Sequence, residues 1–365
     1  MKILIFHIGS LGDTLVSVPA LHVIRKQFSE AKLTLLSDSH VGKNYVSPQD
    51  ILEGSGLVDE YLFYSVDKSR SGKLLRLFRM IRLLVTLRIR RFDKLIYLIR
   101  TKGKEARVSR DIRFFRLAGI KKIIGTEDFV TFPKKVSGHS LSPVPQVGDQ
   151  YLIRLTASGM AVPLPGKGNT DLNIGELEVA AVKEWLAKLP HDGGRHWIGF
   201  GIGGKQSVNI WPVERYEYIG KRLIKSFDLW PVIFGGQENQ IGGNALIKRW
   251  GRGYVAAGVL NVRQSVAALR SCVLFVGNDT GTIHMAAAAE IKCVGIYSSR
   301  NYPGEWSPYG NGHVVLRAPI ECEGCMLERC VENNMKCIMS ISADWVYNAC
   351  EKILREVDKF YEYRR

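Results

Sequence analysis

The sequence predicts an α/β protein of two domains, each a parallel sheet covered by helices. Three observations predict it. Short β-type runs alternate with helix-like stretches in both halves of the chain, the pattern a parallel sheet produces when each crossover carries a helix. A length of 365 residues is long for one hydrophobic core and comfortable for two. In opposite halves, the runs ILIFHI and FVGN each break at a glycine-containing turn that opens a helical pattern, placing backbone N–H groups where a phosphate or carboxylate can sit.

Taken in order, residues 3–8 read as a buried strand, 14–28 as a helix, and 32–36 and 94–98 as further strands. Between the last two, residues 73–91 read as a helix with Arg76, Arg79 and Arg82 set against Leu75, Phe78, Ile81 and Val85. Three-residue spacing predicts that those arginines share one face. Residues 136–150, rich in Ser, Pro and Gly, read as a loop, and 163–170 as a polar, proline-bearing connection. The alternation then resumes: helix 176–189, strand 197–200, helix 212–226, strands 230–234 and 273–276, helix 281–289, strand 293–297 and a closing helix 344–363. The boundary is placed at 165–175, giving domains of residues 1–170 and 171–343, with 344–365 a terminal helix expected to pack back toward the N-terminal domain.

Hydrophobic residues make up 46% of the chain, as in a soluble globular protein. The first apolar run is only a strand long before Gly9, Gly12 and Asp13, which does not fit a secretory signal. Residues 74–99 are interrupted by Arg76, Arg79, Arg82, Arg88, Arg90 and Arg91, each costly at a bilayer centre, so no membrane span is expected. The net charge of +16 is uneven: residues 1–170 hold 28 basic and 14 acidic side chains, against 23 and 21 in 171–365. Half of those 28 lie within residues 68–107, a concentration that attracts anionic partners.

Four turns carry candidate chemistry. Gly9-Ser10-Leu11-Gly12-Asp13 lacks the later glycines of a dinucleotide fingerprint, and Asp38 is the nearest candidate for its second-strand acid; from spacing alone, Asp13 fits the N-cap of the following helix. In NDTGTIH, Thr280 and Gly281 open a helix that carries His284 one turn on, so amides, a hydroxyl and an imidazole are set to meet a diphosphate, with Asp279 at the strand end. The alternative is a capping Asp or Thr and a packed His284. GFGIGGKQSVNIWP offers Lys205 to a phosphate or to solvent, and VIFGGQEN offers Glu238 to ribose hydroxyls or forms an ordinary turn.

Gly12-Asp13 with Pro19 and Leu21, Gly203-Gly204-Lys205 with Trp211-Pro212, Gly235-Gly236-x-Glu238 and Asp279-Thr280-Gly281-x-x-His284 together resemble glycosyltransferase family 9, the ADP-heptose:lipopolysaccharide heptosyltransferases. The resemblance runs in order over nearly the whole chain. It implies a GT-B fold, two Rossmann-like domains with parallel sheets facing a central cleft, the acceptor bound by the first and the nucleotide sugar by the second. It also implies an inverting transferase that needs no metal for catalysis, with Asp13 as base and Lys205, Glu238, Asp279, Thr280, Gly281 and His284 on the donor. The expected partners are a nucleotide-diphosphate sugar and an anionic glycan or lipid-linked acceptor, at a cytoplasmic location with peripheral contact to an anionic inner membrane through Arg76, Arg79 and Arg82. Many members carry a lysine two residues before Trp-Pro; here that position is Asn209, which leaves the sugar and nucleotide open.

Two other classes compete. A nucleotide-sugar epimerase or hydrolase of GT-B fold shares the donor half without needing an acceptor-facing base, and a basic nucleic-acid-binding protein explains the charge. No nucleic-acid motif or aromatic interleaving accompanies the basic stretch, so nucleic acid is not expected as a partner. Cys322-x2-Cys325-x4-Cys330-x6-Cys337 has a spacing that fits free thiols, disulfides or a structural zinc or iron site. Nothing catalytic in the family pattern falls there.

Overall fold

The computed structural model describes residues 1–40, 45–65, 73–100, 105–136 and 138–362. Lys68, Arg70, Lys102 and Lys104 of the basic stretch, and Tyr363 at the end of the closing helix, lie outside the described residues. The chain forms two compact units: residues 1–132 with 145–173, and residues 133–144 with 174–365.

Unit 1 contains five strands, β1 (Lys2–His7), β2 (Lys32–Ser39), β3 (Glu60–Ser65), β4 (Lys94–Leu98) and β5 (Lys122–Ile124). All pair in parallel in the order β3-β2-β1-β4-β5. Its central strand reads Ile3-Leu4-Ile5-Phe6 and is buried throughout, as a strand covered on both faces must be. The single helix expected over 14–28 is two, Leu11–Leu15 and Val18–Gln27. The chain breaks at Val16-Ser17, where Ser17 Oγ donates to Thr14 O (2.7 Å) and Pro19, lacking an N–H, enters the first turn of the second helix. The predicted loop 136–150 gives way at Val147 to the helix Val147–Ala157.

Unit 2 contains β6 (Trp197–Gly201), β7 (Trp230–Ile233), β8 (Tyr254–Val255), β9 (Cys272–Asn278), β10 (Cys293–Tyr297) and β11 (Val314–Arg317). These too are all parallel, in the order β11-β10-β9-β6-β7-β8. Residues 133–144 belong here because buried Glu323 accepts from Leu141 N (2.5 Å) and pairs with Arg317 (2.7 Å) and Lys135 (3.0 Å); the Leu141 N–H first, and then the two cations, hold its carboxyl below the usual range against the cost of burial.

The closing helix, Ala343–Glu362, places Val346, Tyr347, Cys350, Ile353 and Leu354 in the core of unit 2. Those residues make one apolar stripe at helical spacing, and a stripe of that width is stable only when buried. Its entry is fixed by Trp211 Nε1 and Arg215 Nη1, which both donate to Ile341 O at 2.9 and 2.6 Å.

In each sheet the strand order reverses beside one central strand, between β1 and β4 in unit 1 and between β6 and β9 in unit 2. Loops leaving such a reversal diverge to opposite faces and open a crevice at the carboxyl ends of the strands, where open α/β sheets bind ligands. The glycine turns after β1, β6 and β9 are the loops at those two points.

Candidate functional site

In unit 1, β1 ends at buried His7 and the chain turns at Gly9, whose φ of +141° is a conformation that side-chain-bearing residues rarely adopt. Ser10 is the N-cap of the helix Leu11–Leu15, and Asp13 is its third residue, accepting from Ser10 N (3.2 Å). Asp13 is therefore not the N-cap that spacing suggested; its carboxylate folds back over the turn in a capping-box arrangement. Gly9 makes room for it. A Cβ at Gly9 would lie 2.6 Å from Asp13 Oδ2 and closer still to its Cβ. We expect Gly9→Ala to displace that carboxylate and to lower the rate of any reaction using it by a factor on the order of 10², with the far-ultraviolet spectrum unchanged; unchanged turnover would show that the carboxylate position is immaterial.

Asp13 keeps an edge toward solvent, yet protein atoms surround it on nearly every other side. This burial raises its carboxyl above the ordinary carboxylate range, an effect that the nearby His7 and Arg100 oppose. Burial lowers His7 in turn. His7 Nδ1 faces Leu98 O (3.3 Å), which can only accept, so the proton sits on Nδ1 and Nε2 accepts from the Thr14 hydroxyl (3.4 Å). A neutral imidazole thus supports the floor of the site. Asp38, at the end of β2, is no free ribose ligand: its carboxylate accepts from Gly9 N (3.3 Å), Tyr45 OH (3.0 Å) and His40 Nε2 (2.8 Å). The single Tyr45 hydroxyl proton is shared between Asp38 and the nearer Gly9 O (2.6 Å), so Asp38 and Tyr45 grip the turn from both sides of one residue.

In unit 2, Asn278 ends β9 fully buried and organises the reversal point. Its Nδ2 donates to Ile202 O (3.1 Å) and Gly203 O (3.0 Å), while its Oδ1 accepts from Trp211 N (3.2 Å) and Tyr216 OH (2.9 Å). Four demands of two kinds fix the amide's orientation. Asn209, at the position where the family resemblance implies a lysine, is also buried and structural: it donates to Asp279 O (3.2 Å) and accepts from Ser298 Oγ (2.6 Å). Gly203 and Gly235 both lie against the Asn239 side chain, which joins the β6 loop to the turn bearing Glu238.

Thr280 begins the helix Gly281–Ala288, and no side chain caps its first turn. Gly204 packs on the Thr280 methyl, and Asp279 Oδ2 accepts from Asn301 Nδ2 (3.3 Å). Lys205 and Glu238 are exposed on adjoining loops. Of the six expected donor residues, Lys205, Asp279, Thr280 and Gly281 thus lie on contiguous loops, and Glu238 is one strand away. His284 is different. It is 4% exposed, its ring lies 6.1 Å from that of Trp306, and burial drives its pKa down to about 4, so it is neutral at physiological pH. It contributes no charge, but its buried Nδ1 lacks a hydrogen-bond partner.

Arg76 and Arg82 are exposed, whereas Arg79 is half-buried with Nη1 3.5 Å from Ser65 Oγ. Each three-residue step falls about 60° short of a full turn, so the three arginines span about 120° of the circumference of the helix Lys73–Arg90. Cys322, Cys325, Cys330 and Cys337 line one small cavity with Arg300, and none of them is paired in a disulfide. Arg300 ties this loop to the β6 loop, donating to Gln206 Oε1 (2.5 Å), Leu327 O (2.6 Å) and Met326 O (3.0 Å).

Residues 166–336, which include the turns after β6, β7 and β9, match the model of Glycosyltransferase family 9 (heptosyltransferase). They form a glycosyltransferase family 9 domain. The chain is 27% identical over 85 residues to lipooligosaccharide heptosyltransferase 2 of Campylobacter jejuni, a stretch covering 23% of this chain and about a quarter (26%) of that relative's length. A family 9 glycosyl transferase from Veillonella parvula superposes with a TM-score of 0.70 at 20% identity, covering 97% of each chain. The E. coli ADP-heptose lipopolysaccharide heptosyltransferase II superposes at 0.68 with 18% identity, covering 98% of this chain and all (100%) of that one. The fold is therefore GT-B, and the family 9 domain carries the second of its two parallel sheets.

Proposed function

We propose that this protein is an inverting glycosyltransferase that moves a sugar, heptose from ADP-heptose foremost, onto a hydroxyl of a lipopolysaccharide-type acceptor at an anionic membrane surface. The observation that carries the reading is Asp13, a carboxylate held beyond a reversal-point strand on a glycine that leaves space for nothing else. Unit 1 supplies the base. A carboxyl raised by burial is a stronger proton acceptor than one in water, and it takes the acceptor proton as the hydroxyl oxygen bonds to the anomeric carbon. The bond from that carbon to the diphosphate oxygen breaks, and its electron pair leaves with the nucleoside diphosphate.

Unit 2 meets that departing charge. The uncapped amides at Gly281 and the positive end of their helix, with Lys205 beside them, are oriented before the reaction and stabilise the leaving group without rearranging. The unpartnered Nδ1 of His284 is a buried polar atom one turn from the same helix start, and a ligand hydrogen bond would offset its desolvation. Asp279 and Glu238, acidic beside an anion, serve sugar or ribose hydroxyls.

Calorimetry with ADP, GDP and UDP, followed by the intact sugar nucleotides, tests this assignment. Lys205→Ala is expected to weaken the preferred nucleoside diphosphate about tenfold, the worth of one charge-assisted hydrogen bond. Asp279→Ala should weaken the intact sugar nucleotide more than the bare diphosphate. Unchanged affinities in both variants would remove the donor from these loops. Product analysis separates the remaining classes, since an epimerase or hydrolase consumes the donor with no acceptor present.

A further inference from the structure

The helix Lys73–Arg90 presents its apolar face outward. Leu74, Leu77, Phe78, Ile81, Val85 and Ile89 are 84%, 57%, 63%, 49%, 48% and 74% exposed, while Leu87 is buried and Leu83 and Leu84 pack on the core of unit 1. Positions 74, 78, 81, 85 and 89 recur at four- and three-residue steps, so the exposed side chains form one continuous stripe opposite the packed side. A water-facing helix ordinarily carries polar residues there, and a contiguous apolar patch of this extent marks an interaction surface. Exposed Leu117 lies beside it, its carbonyl accepting from Arg88 Nη1 (3.1 Å).

Charge selects the occupant. The helix holds six basic residues and no acidic one. Apposing two copies of this face would bring like charges together, and duplex nucleic acid offers phosphates but no apolar slot for the stripe. A leaflet containing anionic lipid satisfies both features, acyl chains taking the leucine, isoleucine and phenylalanine side chains while phosphates meet the flanking guanidinium groups. No described helix is long and apolar enough to cross a membrane. We infer that the helix Lys73–Arg90 lies in the plane of an anionic membrane with its Leu74-Phe78-Ile81-Val85-Ile89 stripe inserted below the headgroups. The inference rests on the proposed acceptor being at such a surface, but its test does not depend on sugar transfer.

Full-length protein is sedimented with phosphatidylcholine vesicles, with or without 30% phosphatidylglycerol (roughly the charge density of an anionic leaflet), in low and high salt. Binding is expected only with phosphatidylglycerol. Phe78→Gln/Ile81→Gln/Val85→Gln, all at exposed positions, should weaken it at least tenfold at either salt concentration. Arg82→Gln/Arg88→Gln should weaken it in a manner that fades as salt screens the attraction. Thermal melting confirms that both variants fold, and transfer to a lipid-free acceptor fragment should continue in each. Vesicle binding unaltered by the Gln triple variant would overturn the inference. So would light scattering that shows a dimer lost in that variant, because a second copy would then be the occupant. If wild-type protein binds vesicles but transfers no sugar from any donor, the membrane seat stands and the proposed reaction falls.

Discussion

Asp13→Asn should lower sugar transfer by a factor on the order of 10²–10⁴ while leaving the protein at least as stable as its parent. The loss follows from removing the only proton-accepting form the turn provides. The stability result follows from linkage. Burial raises the Asp13 carboxyl above its unfolded value, so the folded state holds the proton more tightly, and the associated stability is present at low pH and lost as pH rises through the raised value. At neutral pH the carboxylate therefore works against folding. Asn keeps the hydrogen bond from Ser10 N and removes the charge, so the thermal midpoint at pH 7 should be no lower than that of the parent. In the parent, kcat/KM should fall on the acid side with a midpoint above the ordinary aspartate value of about 4. A variant with full turnover, or one that melts well below the parent, would leave Asp13 as a capping residue only.

Asn278→Ala should be the most damaging single change to unit 2. It strips partners from the Trp211 N–H and the carbonyls of Ile202 and Gly203, and takes from the Tyr216 hydroxyl its nearer acceptor, leaving it Gly201 O at 3.3 Å. Each buried group left unpaired costs about 1–3 kcal/mol, so a loss of roughly 3 kcal/mol or more is expected even after relaxation. Asn278→Asp should be no rescue, because a carboxylate would face two carbonyl oxygens. Denaturant melts measure the loss. Donor affinity should fall as well, since the Gly203-Gly204-Lys205 loop hangs from this amide; a variant that melts with the parent and binds nucleotide normally would show that the loop is held by other means.

Much of this molecule is legible in its sequence. Continuous apolar runs such as Ile3-Leu4-Ile5-Phe6 and Cys293-Val294-Gly295-Ile296-Tyr297 can only be strands buried on both faces, and helices between them force parallel order. Four strands escape the sequence reading: β5, β8 and β11 are three, two and four residues long, too short for periodicity to register, and β3, the six residues EYLFYS, is only half-buried and offers no continuous apolar run. Asp38 drew notice for its position at a strand end, but its use as a brace for Gly9 depends on Tyr45 and His40 folding back onto it. Asn278 stood in plain view in NDTGTIH without a role, because its four partners lie 62 to 76 residues away.

The sequence by itself determined the alternation of the longer strands and helices, the glycine turns and the family 9 pattern, because each depends on residues within a few positions of one another. Tertiary structure decided the rest. It made Asp13 the third residue of a helix and not its cap, buried His284 as a neutral base, gave Asn209 and Asn278 structural roles and seated the closing helix in unit 2. It also turned the helix Lys73–Arg90 so that its apolar stripe faces outward. Periodicity tells which residues of a helix share a side, but which side meets the core is set by what packs against it, and that information is distributed over the whole chain.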